Sequence, residues 1–256
     1  MHKPYSMVIS PDDHMLTADK GAYFRVTESS LINIRDALCA IGVANADVGS
    51  VLDFGCGYGR AYRALSYLMP NANLTACDLM ADAAQYCANT FGGDWVEAHE
   101  DVSRIAFPRK YDVIWLGSVF THLPEHRWAL LLDALSATLN PGGVIVMTMH
   151  GARSIFVIET VLLERNPHAI DGNWFADMKK NLPETGFAFA PNKPAAIRHQ
   201  NNMGMDVTQG EYGFSFNTPE WFADYIGKRS DLEMVDFVPA GWDNNHDVGV
   251  VSKIAD

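Results

Sequence analysis

Positive charge is the scarcest feature of this sequence: 19 Lys and Arg stand against 31 Asp and Glu, for a formal net charge of −12. A chain that grips a phosphate backbone needs clustered basic side chains, so this balance disfavours nucleic acid as a substrate; ordinary solubility is the plain reading of the acidity. Cysteine is nearly as sparse. Cys39, Cys56, Cys77 and Cys87 make no C-x-x-C pair and no His/Cys grouping with zinc-finger spacing, which points to a reducing compartment. No apolar run approaches the roughly 20 residues that cross a bilayer. The opening Met1-His2-Lys3-Pro4-Tyr5-Ser6 is polar and broken by proline, without the apolar segment of a secretion signal. Internal repeats and low-complexity tracts are also missing. The expectation is a cytoplasmic protein with no membrane span.

What is present is core material. Apolar residues make up 48% and charged residues 20% of 256 positions, enough for one folded domain rather than a disordered chain. From about residue 50 to 165, short apolar runs alternate with amphipathic stretches, the pattern of βαβ units and a parallel sheet. Strands are expected at 51–54, 73–77, 94–96, 111–116 and 144–149, with helices at 60–69 and 81–91. The helix opening near Pro124 is the clearest, because Trp128, Leu131, Leu132, Leu135 and Leu139 recur at helical spacing. Asn140-Pro141-Gly142-Gly143 then ends it. A further helix is expected at 28–41 and another at 152–164. Residues 166–217 are rich in Pro, Gly, Asn and aromatics, with weak periodicity. A helix at 219–226 and strands at 234–239 and 247–252 close the chain, the two strands antiparallel because their connection is short.

The most informative stretch is Val51-Leu52-Asp53-Phe54-Gly55-Cys56-Gly57-Tyr58-Gly59-Arg60. Alternate glycines between a strand and a helix let the backbone turn tightly and approach a ligand closely, at the sheet edge where open α/β folds bind ligands. A nicotinamide dinucleotide fingerprint would put its third glycine at position 60, which here is Arg60. Asp53 precedes the loop, and a carboxylate there suits a cationic sulfonium nucleoside better than a pyrophosphate. Asp78 ends the next strand and is placed to accept hydrogen bonds from ribose hydroxyls. Either acid alone would read as a helix cap or a solvated loop residue. In this order at strand ends, both read as binding groups.

These residues resemble motifs I and II of the class I S-adenosylmethionine-dependent methyltransferases. Glu100-Asp101-Val102 resembles the loop after the family's third strand. Tyr111-Asp112-Val113-Ile114-Trp115 and Gly117-Ser118-Val119-Phe120-Thr121-His122-Leu123 resemble the fourth strand and its loop. Leu139-Asn140-Pro141-Gly142-Gly143 resembles the turn before the fifth strand. The resemblance is specific over residues 50–150 and is similar to bacterial members associated with small-molecule and glycan pathways. It implies an α/β fold: a Rossmann-like, seven-stranded, mostly parallel sheet with an antiparallel last strand and helices on both faces. Within one domain, residues 1–48 would form a helical cap, 49–165 the cofactor-binding core, 166–217 a substrate lid, and 218–256 the final helix and strands. The cofactor implied is S-adenosylmethionine, with S-adenosylhomocysteine as product. Gly55, Cys56, Gly57 and Gly59 would approach the methionine and ribose, and Asp53 the amino end. Asp78 with Leu79 would take the ribose, and Asp101 with Val102 the adenine, Glu100 being the alternative to Asp101. Gly117 and Ser118 would line the methyl-donor side.

Methyl transfer to oxygen needs a base; an amine acceptor need only be held neutral. His150, at a strand end, is the favoured base, and His122 is the second candidate. Each also reads as a structural residue, His150 bonded to backbone and His122 capping the following helix. His246-Asp247 reads as a hydrogen-bonded pair. Asp243-Asn244-Asn245-His246-Asp247 has oxygens enough for a metal but reads as a turn, and no metal is expected. Trp174, Phe175, Phe187, Phe189, Tyr212, Phe214 and Phe216 would either stack on an acceptor or pack the lid down. Tyr23 and Phe24, ahead of the first helix, would fold over the cofactor, with Arg25 nearby. The function expected is transfer of a methyl group to oxygen of a small molecule or glycan, with N-methylation or cofactor binding without catalysis as alternatives.

Overall fold

The computed structural model describes residues 5–166 and 169–254; Met1 to Pro4, on which part of the reading of the amino terminus rests, lie outside the described residues. The chain runs through α1 (Lys20–Ala40), β1 (Ser50–Phe54), α2 (Tyr62–Leu68), β2 (Asn73–Asp78), α3 (Ala81–Phe91), β3 (Asp94–Glu97), β4 (Tyr111–Leu116), α4 (Glu125–Thr138) and β5 (Leu139–Met149). There follow α5 (Ala152–Val157), a π-helical turn (Ile158–Leu162), α6 (Leu163–Arg165), α7 (Gly172–Thr185), β6 (Phe187–Pro191), α8 (Pro194–Asn202) and β7 (Gly213–Asn217). The chain then ends with α9 (Pro219–Gly227), β8 (Leu232–Trp242) and β9 (His246–Lys253). The main sheet has seven strands in the order β3-β2-β1-β4-β5-β9-β8. β1 pairs parallel with β2 and β4, and β4 with β5, whereas β9 is antiparallel to both β5 and β8.

Every residue of β1 is buried, as expected of a parallel strand covered on both faces. Period-two alternation divides the core. Val51, Val113 and Val144 point to one face, where Ile34, Leu38 and Leu65 pack. Leu52, Ile114 and Ile145 point to the other, against Trp128, Leu131, Leu132 and Phe222. Strand order reverses between β1 and β4, so the crevice at their carboxyl ends is the topological switch point where such sheets bind ligands.

Three expectations need correction. The first helix begins at Lys20 rather than near 28, capped by Asp19, whose side chain accepts from the Ala22 amide at 3.0 Å. Tyr23 and Phe24 therefore sit within α1, not ahead of it, and Tyr23 is buried. The stretch from 166 to 217 contains helices and a separate antiparallel pair, β6 with β7. Phe175, Met178, Leu182 and Phe216 build a satellite core there, and Phe187 packs against Trp128 and Trp221. His246 and Asp247 do not pair with each other. His246 Nδ1 lies 3.3 Å from Thr148 Oγ1, and Asp247 accepts from the Ala240 amide at 2.7 Å.

Candidate active site

The glycine loop is strapped to β2. The amides of Gly55 and Cys56 both donate to the Cys77 carbonyl, at 2.8 and 3.1 Å, and the Gly57 amide donates to Asp78 Oδ2 at 2.7 Å. Two glycines need their missing side chain for different reasons. Gly59 has φ +89° and packs inward, where a Cβ would stand 2.5 Å from Phe91 Cε2. Gly57 has φ +49° and opens outward, where a Cβ meets nothing within 4 Å. Gly57 is therefore bare main chain on the wall of a cavity of about 370 Å³, a volume typical of small-molecule sites.

Asp78 lines this cavity. Its Oδ1 accepts from the Met80 amide at 2.9 Å; burial raises its pKa, with the backbone amides pulling the other way. Asp53 is enclosed beneath the loop and is not a lining residue. Its Oδ2 is buried without a hydrogen-bond partner, and burial, then the neighbouring Asp78, push its pKa well above the usual carboxylate range.

Gly55, Cys56, Leu79, Val102, Gly117 and Ser118 line the cavity as well. Ser118 has φ +62°, a costly conformation for a residue with a Cβ. It is held by its amide donating to Thr148 Oγ1 at 2.7 Å and by a 3.1 Å contact between its hydroxyl and that of Thr121. Asp101 does not join these residues. It is exposed and caps the short helical turn Val102–Arg104, accepting from the Ser103 amide at 3.1 Å and hydroxyl at 2.7 Å. Glu100 does line the cavity, but its carboxylate accepts from the Thr208 amide at 3.0 Å and hydroxyl at 2.5 Å.

The two candidate bases separate. His122 lines the cavity and His150 does not. Both grip β7 in the same way: His122 Nδ1 lies 2.8 Å from the Gly213 carbonyl and His150 Nδ1 3.0 Å from the Ser215 carbonyl. A carbonyl only accepts, so each Nδ1 carries the hydrogen and each Nε2 is left with a lone pair. Burial lowers the pKa of both, that of His150 further because His246 and His122 crowd it. His122 also stacks on Tyr212, with ring centroids 4.9 Å apart and planes 9° from parallel. It does not cap α4, whose first residues have no side-chain cap.

Of the aromatics expected to stack on an acceptor or pack the lid down, Tyr212 lines the cavity, and several further lining residues are not read as binding groups from the sequence: Arg60, His99, Arg127, Glu211 and Trp242. Arg127 Nε donates to Glu211 Oε2 at 2.6 Å and its Nη1 to the Glu100 carbonyl at 3.0 Å. The insertion is thus fastened to the core on this side too, a pairing between positions 84 apart that no local pattern announces.

Residues 51–143 match the model of a methyltransferase domain. The chain is 26% identical over 185 residues to the trans-aconitate 2-methyltransferase of Rhodopseudomonas palustris, covering 70% of this chain and 69% of that protein. It is 29% identical over 136 residues to the protein of the same name from Azoarcus, covering 53% of this chain and 51% of that one. Among solved structures, an S-adenosylmethionine-dependent methyltransferase from Clostridium acetobutylicum superposes with a TM-score of 0.55 at 16% identity, over 90% of this chain and 92% of that one, a likeness of fold. The domain match, the curated relatives and the fold together support an S-adenosylmethionine-dependent methyltransferase.

Proposed function

We propose that this enzyme methylates an oxygen atom of a small-molecule or glycan acceptor, with His122 as the general base. The residues present suit S-adenosylmethionine. Gly57 offers main chain that a ligand can approach without meeting a side chain. Each Asp78 oxygen accepts one amide, which leaves capacity for two ribose hydroxyls. The unpartnered Asp53 Oδ2 beneath the loop favours a positive charge above it. In this assignment Gly55 and Cys56 complete the loop beside the methionine and ribose, and Gly59, which packs inward and does not line the cavity, serves the turn. Leu79 and Val102 flank the nucleoside, Gly117 and Ser118 line the methyl-donor side, and Asp101 is left out.

When bound, S-adenosylmethionine supplies a methyl group already activated by its sulfonium, so the protein must align the acceptor, exclude water and remove one proton. His122 carries the reading. Its hydrogen is committed to the Gly213 carbonyl, and burial keeps its pKa below the ordinary value for histidine. At neutral pH it is therefore uncharged, with Nε2 free to accept. The acceptor's O–H bond breaks with its proton passing to Nε2, which leaves the oxygen pair for the new bond. His150 has the same tautomer but faces no cavity, and its role is to hold β7. The four free thiols suit a cytoplasmic setting.

Transfer of labelled methyl groups to a panel of hydroxyl, carboxyl and amine acceptors, with trans-aconitate included because the two relatives carry its name, tests the proposal. His122→Gln should keep S-adenosylhomocysteine binding and lower kcat on an oxygen acceptor by roughly 100-fold or more. Turnover of an amine acceptor that is indifferent to His122 would refute it.

A further inference from the structure

Arg60, in the turn before α2, and Arg63, in its first turn, stand three residues apart, and the structure treats them in opposite ways. Arg63 is buried and fully engaged. Its Nε donates to the Gly59 carbonyl at 2.9 Å, its Nη1 to the carbonyls of Ser6 and Val8 at 3.3 and 2.5 Å, and its Nη2 to the Tyr23 hydroxyl at 3.1 Å. Arg60 lines the cavity and, among the described residues, its guanidinium makes no hydrogen bond and no ion pair. Its contacts are aromatic: Cζ stands 5.9 Å from the centroid of Tyr23 and 5.5 Å from that of Trp242.

Both aromatic plates are themselves fixed. Tyr23 Oη donates to Asp13 Oδ2 at 2.6 Å, and Trp242 Nε1 donates to Ser30 Oγ at 2.8 Å. Asp13 and Asp243 are the acids whose charge reaches Arg60, but among the described residues neither forms an ion pair with it, and Asp13 is engaged with Tyr23 and with the Met15 amide at 2.9 Å. The other cation on the cavity wall, Arg127, is already paired with Glu211 and Glu100. Aromatic rings stabilise a guanidinium through its faces and leave the in-plane N–H groups free. That planar fork matches a carboxylate in two parallel hydrogen bonds. An enclosed cation without a partner is costly, and a ligand anion relieves the cost. Burial lowers the pKa of Arg60, with Tyr23, Asp13 and Asp243 acting in the opposite direction.

We propose that Arg60, held between Tyr23 and Trp242, is a carboxylate clamp that takes an acid group of a ligand bound in this cavity. The carboxylate has two possible sources, the amino-acid end of the methyl donor or an acidic acceptor. The inference rests on the reading of this cavity as the methyl-transfer site.

The test is calorimetric binding of three probes to wild type, Arg60→Met and Arg60→Lys, with melting temperatures to establish folding. The probes are S-adenosylhomocysteine, 5′-methylthioadenosine (the same nucleoside thioether without the amino acid) and citrate. If the clamp holds the donor, Arg60→Met weakens S-adenosylhomocysteine by about tenfold or more, leaves 5′-methylthioadenosine unchanged, and Arg60→Lys falls between. If it holds the acceptor, citrate binding is lost in Arg60→Met while both nucleosides bind as in wild type. Equal loss of both nucleosides, or no loss of any probe, overturns the clamp and makes Arg60 a packing residue. Wild type that binds citrate through Arg60 but no nucleoside would refute the methyl-transfer reading and leave the clamp standing.

Discussion

Replacing Gly57 by alanine adds one methyl group to the cavity wall, and its two effects can be worked out separately. The first is backbone strain. At φ +49° an L-residue with a Cβ pays about 1–2 kcal/mol, which for a chain of this length lowers Tm by roughly 3–6 °C. There is no steric addition, because nothing lies within 4 Å of the new carbon. Gly142, exposed with φ +73° and equally open space, should show the same loss and serves as the control for strain. Gly59 differs, since its Cβ would also meet Phe91 at 2.5 Å and Cys87 at 3.1 Å. Overpacking of that kind adds about 1–3 kcal/mol, so Gly59→Ala should be clearly less stable than the other two. The second effect is on the ligand. A nucleoside resting on Gly57 must lift off the new methyl and forfeit close contacts, about 2 kcal/mol or roughly 30-fold in affinity. Titration calorimetry with S-adenosylhomocysteine, paired with thermal unfolding, reads both quantities. Binding by Gly57→Ala within about threefold of Gly142→Ala would mean that the cofactor does not lie against this main chain, and the site assignment would fall.

Asp78→Asn should weaken S-adenosylhomocysteine on the order of tenfold, the worth of hydrogen bonds to a charged acceptor, whereas Asp101→Asn should leave it unchanged; the reverse ranking in calorimetry would return Asp101 to the site. Stability should also respond to pH through the buried histidines. Burial brings the pKa of His246 down to about 3, so the folded chain refuses a proton that the unfolded chain accepts below about pH 6.5. That contribution is intact above pH 6.5 and is lost progressively as pH falls toward 3, about 2 kcal/mol of it by pH 5. Urea unfolding at pH 7 and pH 5 should therefore show a shallower fall for His246→Gln than for wild type, and equal falls would contradict a buried neutral imidazole.

The parts legible in the sequence are those in which local pattern and tertiary role coincide. A fully buried parallel strand segment must be a continuous apolar run, and Val113 to Leu116 in β4 is one; α4 must show a stripe, and Trp128, Leu131, Leu132 and Leu135 are it. The insertion fails that condition. Its strands have five residues each, too few to establish alternation, and their pairing depends on each other. In α7 the buried positions Phe175, Met178 and Leu182 do recur at helical spacing, but Gly172 and Pro183 obscure the helix. Arg60 and Arg63 show the limit most sharply. Both are arginines near a helix start, and only the Ser6 and Val8 carbonyls and the Tyr23 and Trp242 side chains, distant in sequence, decide which is saturated and which is free.

The histidines lead to the same conclusion from the chemical side. A histidine at a strand's carboxyl end and one in the next loop look alike in sequence as bases, and in the structure both form one kind of bond, Nδ1–H to a β7 carbonyl. What separates them is the cavity, which His122 lines and His150 does not, and the insertion supplies part of that cavity through Tyr212. The segment leading from Tyr212 into β7 therefore both holds His122 Nδ1, at the Gly213 carbonyl, and borders the cavity, at Tyr212. If His122 is the proposed base, base strength and cavity shape are not independent: a substitution that shifts the Gly213 carbonyl also shifts Tyr212 beside it.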